Sequence, residues 1–372
     1  MEGAAAMRAR RDRQGRAERL FLALAAGLAT AACAGEAVGP AAYSSEQCRR
    51  VALVDQATGE AIRGAEDLAL DPVRARLFVS AYDRRAVERA ARDRAFSVPE
   101  GGVYAVPLAA FEDPSTDRIA AKRLIGPGEA AGGVRPHGLA YDAERREVVF
   151  VNRAYQRINH VWRLQPRIER VGDDGAVFMG AGREAPCSAN DVLVDYDGVL
   201  TSFDRAACGW RALPEDLFAL PRSGLAGPDG TRLFEGAAFA NGLARAGDGA
   251  LVLAATRERA LLILEKDTGG YALARRLALP GGPDNLTRAA DGGIVAAVHP
   301  SLIKLALHRR LGLGAAPSRI VKTDAALESV EILYDDPKGA RFSAATVAIE
   351  THGVLIAGSA TDAGLLVCRK VE

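Results

Sequence analysis

The chain has 372 residues, 49% of them hydrophobic, and its 48 lysines and arginines balance 47 aspartates and glutamates to a net charge of +1. That apolar content excludes a disordered chain, and the length allows one large domain or two ordinary ones. The even charge leaves no electrostatic footprint for nucleic acid, so no such partner is expected.

Basic residues cluster from Arg8 to Arg19, and residues 20–32 form an uninterrupted apolar run that ends at Cys33. The run is too short to span a bilayer comfortably and suits the apolar core of a signal peptide. Thr30-Ala31-Ala32-Cys33 resembles a bacterial lipobox, at which a lipidated Cys33 would attach the protein to a membrane. Ordinary cleavage at a neighbouring small residue is the alternative. Residues 1–33 therefore read as a signal or lipoprotein signal, 34–47 as a linker and 48–372 as the folded domain. The expected location is the bacterial periplasm, or a membrane-anchored lipoprotein facing it.

One pattern recurs along the folded part. "EDLALDPVRARLFVSAYD" begins at Glu66, "HGLAYDAERREVVFVNRA" at His137 and "NDVLVDYDGVLTSFD" at Asn190; "NGLARAGDGALVLAAT", "DNLTRAADGGIVAAVH" and "ATVAIETHGVLIAGSA" follow at Asn241, Asp284 and Ala344. Each has a polar or small head, a short alternating strand, a turn and a second apolar strand; in the third unit Asp197-Gly198 makes the turn. Six such units, with further strand-like runs between them, predict an all-β fold, a six-bladed β-propeller with a central tunnel. A sandwich could be built from similar strands, but it would not require a repeated polar head. In a propeller the innermost strands all start at one face around an axis, so the heads meet there.

The converging groups are Glu66, His137, Asn190, Asn241, and Asp284 or Asn285. Buried carboxylates need a partner, and no lysine or arginine occurs among the heads. Carboxylate and amide oxygens in such a set suit a hard cation, Ca²⁺ above all, better than a soft or imidazole-seeking metal. Taken singly, each Asn or Asp is equally at home as a turn residue bonded to backbone.

Beyond Cys33, four cysteines remain, Cys48, Cys187, Cys208 and Cys368. In an oxidising compartment they permit two disulfides with three connectivities. Folding about Asp197-Gly198 brings Cys187 nearly opposite Cys208, and pairing Cys48 with Cys368 would tie the start of the domain to its end. No spacing points to zinc or a redox motif.

"GAEDLAL", "RPHGLA", "ANDVLV", "FANGLA", "PDNLT" and "AAVHP" stand in the order and context seen in paraoxonases, and the chain resembles these calcium-dependent arylesterase/lactonase propellers from about Cys48 to Cys368. The resemblance implies two Ca²⁺ ions. Glu66, Asn190, Asn241, Asp284 and Asn285 match the ligands of the catalytic ion. Asp67, Asp191 and the Leu139 carbonyl match those of the structural one. Asn190 and Asp191 would thus serve one ion each. His137 matches the proposed general base, His299 another active-site histidine, and Cys48 with Cys368 the disulfide that closes the ring. The second histidine of the family's dyad falls near Asn152-Arg153, where this chain has none; arginine cannot relay a proton at ordinary pH. The gluconolactonase/senescence marker propellers share the architecture and a Glu, Asn and Asp ring, whereas strictosidine synthases lack the calcium ring.

The expected activity is hydrolysis of a small-molecule lactone or aryl ester. The cation would bind the substrate carbonyl, and His137 or Asp284 would take the proton from attacking water. Residues 83–101, 205–230 and 300–318 are long enough to cover the site, and "SLIKLALHRRLG" in the last reads as a short amphipathic helix that packs on the rim, with a lid or a membrane contact as the alternative. The rivals are a gluconolactonase-like sugar-lactone hydrolase and a non-catalytic, calcium-stabilised binding propeller.

Overall fold

The structure is a computed structural model that describes residues 39–177, 182–196 and 198–370. The leader and lipobox, most of the linker, and Asp197 of the hairpin turn lie outside those residues. From Pro40 onward the chain forms one compact unit with an all-β, propeller-like fold. No helix among the described residues is long and apolar enough to cross a membrane.

Among the described residues the strands form four separate four-stranded sheets, one eight-stranded sheet and a two-stranded hairpin of Tyr155–Ile158 with Val161–Leu164. The larger sheet has two halves, each ordered outward from a head strand. One runs through Ala65–Asp71, Arg76–Ala81, Gly102–Pro107 and Arg118–Ile125. The other runs through Ala345–Thr351, Val354–Ser359, Leu365–Arg369 and Cys48–Asp55. The halves merge because Cys48–Asp55 pairs antiparallel with Leu365–Arg369 and, on its other edge, parallel with Arg118–Ile125. Blades usually end in free outer edges, so this pairing removes two exposed edges at the closure.

The head strands follow one another around the axis. Ala65–Asp71 contacts Pro136–Asp142, and the contacts continue through Ala189–Asp195, Ala240–Arg245, Gly282–Arg288 and Ala345–Thr351 back to Ala65–Asp71. Burial falls outward along each sheet. Every residue of Leu251–Ala255 and of Ile294–His299 is buried, whereas the outer strand Gly270–Ala278 has no buried residue. Second strands are covered on both faces by neighbouring sheets, which explains their unbroken apolar runs where alternation would be expected of a half-exposed strand. Phe78, Leu139 and Phe150 fill one inter-sheet layer, Val149, Val192 and Val199 the next, and Leu200, Leu243 and Leu253 the one after.

Both disulfides are formed. Cys48 and Cys368 are cross-strand neighbours with Cα atoms 4.0 Å apart, and Cys187 joins Cys208 at 5.9 Å. Two disulfides fit an oxidising compartment.

The three long connections carry helices at the head end. Arg84–Arg92 is capped by Asp83, whose carboxylate accepts from the Ala86 amide; Leu213–Phe218 lies in the second connection and Leu302–Ala306 in the third. The third helix follows the amphipathic reading in "SLIKLALHRRLG", but Ile303, Leu307 and Leu311 remain exposed and do not pack on the rim.

Candidate functional site

Each head carries a break in strand register: between Ala65 and Asp67, Pro136 and Leu139, Ala189 and Val192, Ala240 and Leu243, Pro283 and Leu286, and Ala345 and Val347. Strict alternation would send consecutive side chains to opposite faces. A bulge re-aims them, so adjacent polar residues can both be buried near the axis. Glu66 and Asp67, Asn190 and Asp191, and Asp284 and Asn285 are all under 9% exposed. The heads also approach closely. A Cβ on Gly138 would stand 2.4 Å from the Asp191 Cα, and one on Gly242 would stand 2.5 Å from the Leu286 amide nitrogen, so these two positions admit only glycine.

Two clusters result. The first contains Glu66, His137, Asn190, Asn241, Asp284, Asn285 and His299. Asn241 Nδ2 donates to Asp284 Oδ1 at 2.5 Å and Asn285 Nδ2 to the Glu66 carbonyl at 2.9 Å; His299 Nε2 lies 2.7 Å from Asp284 Oδ2. The side-chain oxygens of Asn190, Asn241 and Asn285 are buried without a hydrogen-bond partner. Burial pushes the Glu66 carboxyl up, with Asp284 adding to it and Arg84 opposing.

The second cluster is a pair. Asp67 accepts from the amides of Leu139 (2.8 Å) and Leu68 (2.9 Å), and Asp191 from those of Leu243 (2.8 Å) and Val192 (2.7 Å). Each carboxylate thus holds its own bulge and reaches the head of the next sheet. Their amides donate to Ser80 and Ser202 in turn. Burial, followed by the charge of Asp191, holds Asp67 well above the usual carboxylate range. Burial carries Asp191 up to about 7 against its backbone donors.

Sequence reasoning missed Arg84. No cation occurs among the heads, yet the first residue of the Arg84–Arg92 helix puts a buried guanidinium 2.9 Å from Glu66 Oε1 and 2.8 Å from His137 Nδ1. The Asp83 cap ahead of a run without Gly or Pro was the available signal for this helix. Because arginine only donates, the ring nitrogen facing it must be an acceptor. Burial and then Arg84 depress the His137 pKa well below its usual value, so the ring is neutral. Asn152 does not face the site. Its amide group bridges the Arg135 amide (2.8 Å) and the Gly133 carbonyl (3.0 Å), clamping the approach to the second head.

Among the described residues, no three His, Cys, Asp or Glu side chains gather tightly enough to hold a metal by themselves. Asparagine oxygens would have to complete any such site. Two carboxylates and three unpartnered amide oxygens, all buried, fit a hard cation of irregular coordination. Arg84 is the group with which a cation would share Glu66.

Fold and site together define a propeller-like protein with a buried, oxygen-rich polar cluster at the heads of its inner strands. No protein-family model matches the chain, and no curated protein matches it in sequence. It is similar to the solved structure of a gluconolactonase from Xanthomonas campestris, at 14% identity and a TM-score of 0.49 over 90% of this chain and 99% of that one. It is similar also to a putative gluconolactonase (16%, TM-score 0.46, 90% and 95%) and to a luciferin-regenerating enzyme (12%, TM-score 0.49, 90% and 96%). At that level of likeness no neighbour's activity transfers to this chain.

Proposed function

We propose that this protein is a calcium-dependent hydrolase of lactones and aryl esters, built on a six-bladed propeller. Six blades is the reading supported by counting the two halves of the eight-stranded sheet separately, since each begins with its own head. The observation that carries the functional reading is the set of three buried, unpartnered asparagine oxygens beside Glu66 and Asp284. Leaving such atoms unpaired costs roughly 1–3 kcal/mol each, a cost that a bound cation would offset. Glu66, Asn190, Asn241, Asp284 and Asn285 would hold a catalytic Ca²⁺, and Asp67, Asp191 and the Leu139 carbonyl a second, structural one.

When bound, the catalytic ion supplies Lewis-acid polarisation of the substrate carbonyl. The chain's own residues manage the proton. His137 is a poor base, because Arg84 engages its ring and burial lowers its pKa. Asp284 serves better. Its Oδ2 accepts from His299 Nε2 at 2.7 Å, and the buried His299 Nδ1 has no partner among the described residues, so the pair has room to receive and pass on a proton from water. His137 and Arg84 then position Glu66.

Initial-rate assays of a panel of γ- and δ-lactones and phenyl acetate, on wild type, Asp284→Asn, His299→Gln and His137→Gln, test this reading. We expect hydrolysis of at least one substrate, with losses of roughly 10²–10⁴-fold for Asp284→Asn and a smaller loss for His137→Gln. A calcium-loaded protein that hydrolyses nothing on the panel would instead favour a binding propeller.

A further inference from the structure

Two buried threonines touch the axial cluster, and nothing proposed above uses either. Thr256 stands where the fully buried strand Leu251–Ala255 ends, in a short helical turn over Thr256–Glu258, and is 5% exposed. Its backbone amide donates to the Phe239 carbonyl at 3.0 Å, and a Cβ on Gly282 would stand 3.0 Å from its methyl carbon. The residue is thus wedged between the heads at Ala240–Arg245 and Gly282–Arg288. Thr346 is buried at the last head, Ala345–Thr351, which begins with no carboxylate, amide or imidazole.

The Thr256 hydroxyl has one proton, and it is committed, because Oγ1 donates to the Pro283 carbonyl at 2.6 Å. Toward Asn241 that oxygen can then only accept, and Asn241 Nδ2 donates to it at 3.3 Å. The same amide nitrogen donates to Asp284 Oδ1 at 2.5 Å. Turned over, the amide would aim its oxygen at a carboxylate oxygen and at a hydroxyl whose proton is engaged elsewhere. That orientation is excluded, and Asn241 Oδ1, buried and unpartnered, is the atom left over. Asn285 is oriented differently. Its Nδ2 donates to the Glu66 carbonyl at 2.9 Å, and Thr346 Oγ1 donates to the same carbonyl at 2.8 Å. A backbone carbonyl accepts whether or not Thr346 is there, so Thr346 supports that arrangement without deciding it.

We infer that Thr256 is a positioning residue that fixes the polarity of the Asn241 amide, so that its oxygen and not its nitrogen is offered to a cation. The inference rests on the calcium reading above and names the group outside the ligand set that makes Asn241 a ligand. An amide NH₂ only donates, so an amide free to turn would present a hard cation with a usable oxygen only part of the time. Because Pro283 immediately precedes Asp284, the same hydroxyl also ties together the two heads that carry Asn241 and Asp284.

Calcium binding tests this, measured by calorimetry on chelator-stripped wild type, Thr256→Val, Thr256→Ser and Thr346→Val. Asn241→Ala marks the binding step that belongs to this cluster as the one it weakens most. Thr256→Val keeps the shape and removes the hydroxyl, and should weaken the marked step by about 10–100-fold, the usual effect of losing a group that orients a metal ligand. Thr256→Ala should do the same, which frees the result from the packing of valine. Thr256→Ser should restore the affinity. Thr346→Val, an equal loss at an equally buried place, should stay close to wild type. Affinity unchanged in Thr256→Val and Thr256→Ala, not rescued in Thr256→Ser, or lost to the same extent in Thr346→Val overturns the inference and leaves the calcium reading intact. Wild type that binds no calcium overturns both. Binding weakened as expected in a protein that hydrolyses no lactone would uphold the positioning role and sink the hydrolase reading. Circular dichroism of every variant confirms that it folds.

Discussion

The two polar clusters at the axis solve the burial of charge in different ways. In the cluster around Glu66 and Asp284, a guanidinium, two imidazoles and amide nitrogens surround the carboxylates, yet three amide oxygens are left over. In the Asp67–Asp191 pair, four backbone amides donate to the carboxyls, yet burial holds both above the usual carboxylate range, and the charge of Asp191 adds to this at Asp67. The first is poor in acceptors' partners, the second in positive charge. A cation supplied to both would repair both, but for the first it adjusts a reactive site and for the second it removes a strain on folding.

The largest effect should separate those roles. Glu66→Gln and Asn241→Ala are expected to lower hydrolysis by at least about 10²-fold, the scale of a lost transition-state contact, while leaving the melting temperature of the calcium-loaded protein nearly unchanged. Asp67→Ala and Asp191→Ala should show the opposite balance in a paired assay of activity and thermal unfolding. Equal activity losses at constant stability across all four would erase the distinction.

Next comes pH. A carboxyl whose pKa is raised in the folded state keeps a proton that the unfolded chain releases, so its contribution favours folding least at high pH. With Asp191 up at about 7, chelator-treated protein should lose stability as pH rises from about 4 through 7, by about 4 kcal/mol from this group. Asp67, also held high, adds in the same direction. Urea unfolding at several pH values, repeated with Asp191→Asn, measures the slope; it should flatten in the variant and in saturating calcium.

Calcium itself should stabilise the folded state by about 2.7 kcal/mol per site at a hundredfold excess over its dissociation constant. Thermal scans across a calcium series test this, and a flat series contradicts it. The smallest predicted change sharpens the role of the cation already present. Replacing Arg84 by Met removes the group competing for Glu66, so calcium should bind the first cluster roughly tenfold more tightly, equivalent to about 1.4 kcal/mol.

The repeat of polar head, strand, turn and strand was readable because side-chain period and turn residues are local properties of the chain. "NDVLVD" and "NGLAR" announced the inner strands and the residues at their starts. Alternation, however, cannot show a bulge, so sequence gave no reason why both Asn190 and Asp191 are buried, beyond the paraoxonase-like pattern. Arg84 was hidden for a related reason. It reaches Glu66 through a helix in a connection whose path no periodicity describes, and Asn152, next to Arg153, proves to be a backbone clamp. The parallel pairing of Cys48–Asp55 with Arg118–Ile125 is a contact between sheet edges, which strand patterns leave unspecified.

The claim that most needs testing is that the leftover oxygens of Asn190, Asn241 and Asn285 are calcium ligands of a hydrolytic site. The direct measurement is lactone hydrolysis by protein stripped with a chelator, verified metal-free by elemental analysis, and then titrated with calcium. Activity that disappears on stripping and returns with calcium, but does not return in Asn241→Ala at concentrations that restore wild type, is the predicted result. Undiminished hydrolysis by the verified metal-free protein would contradict it.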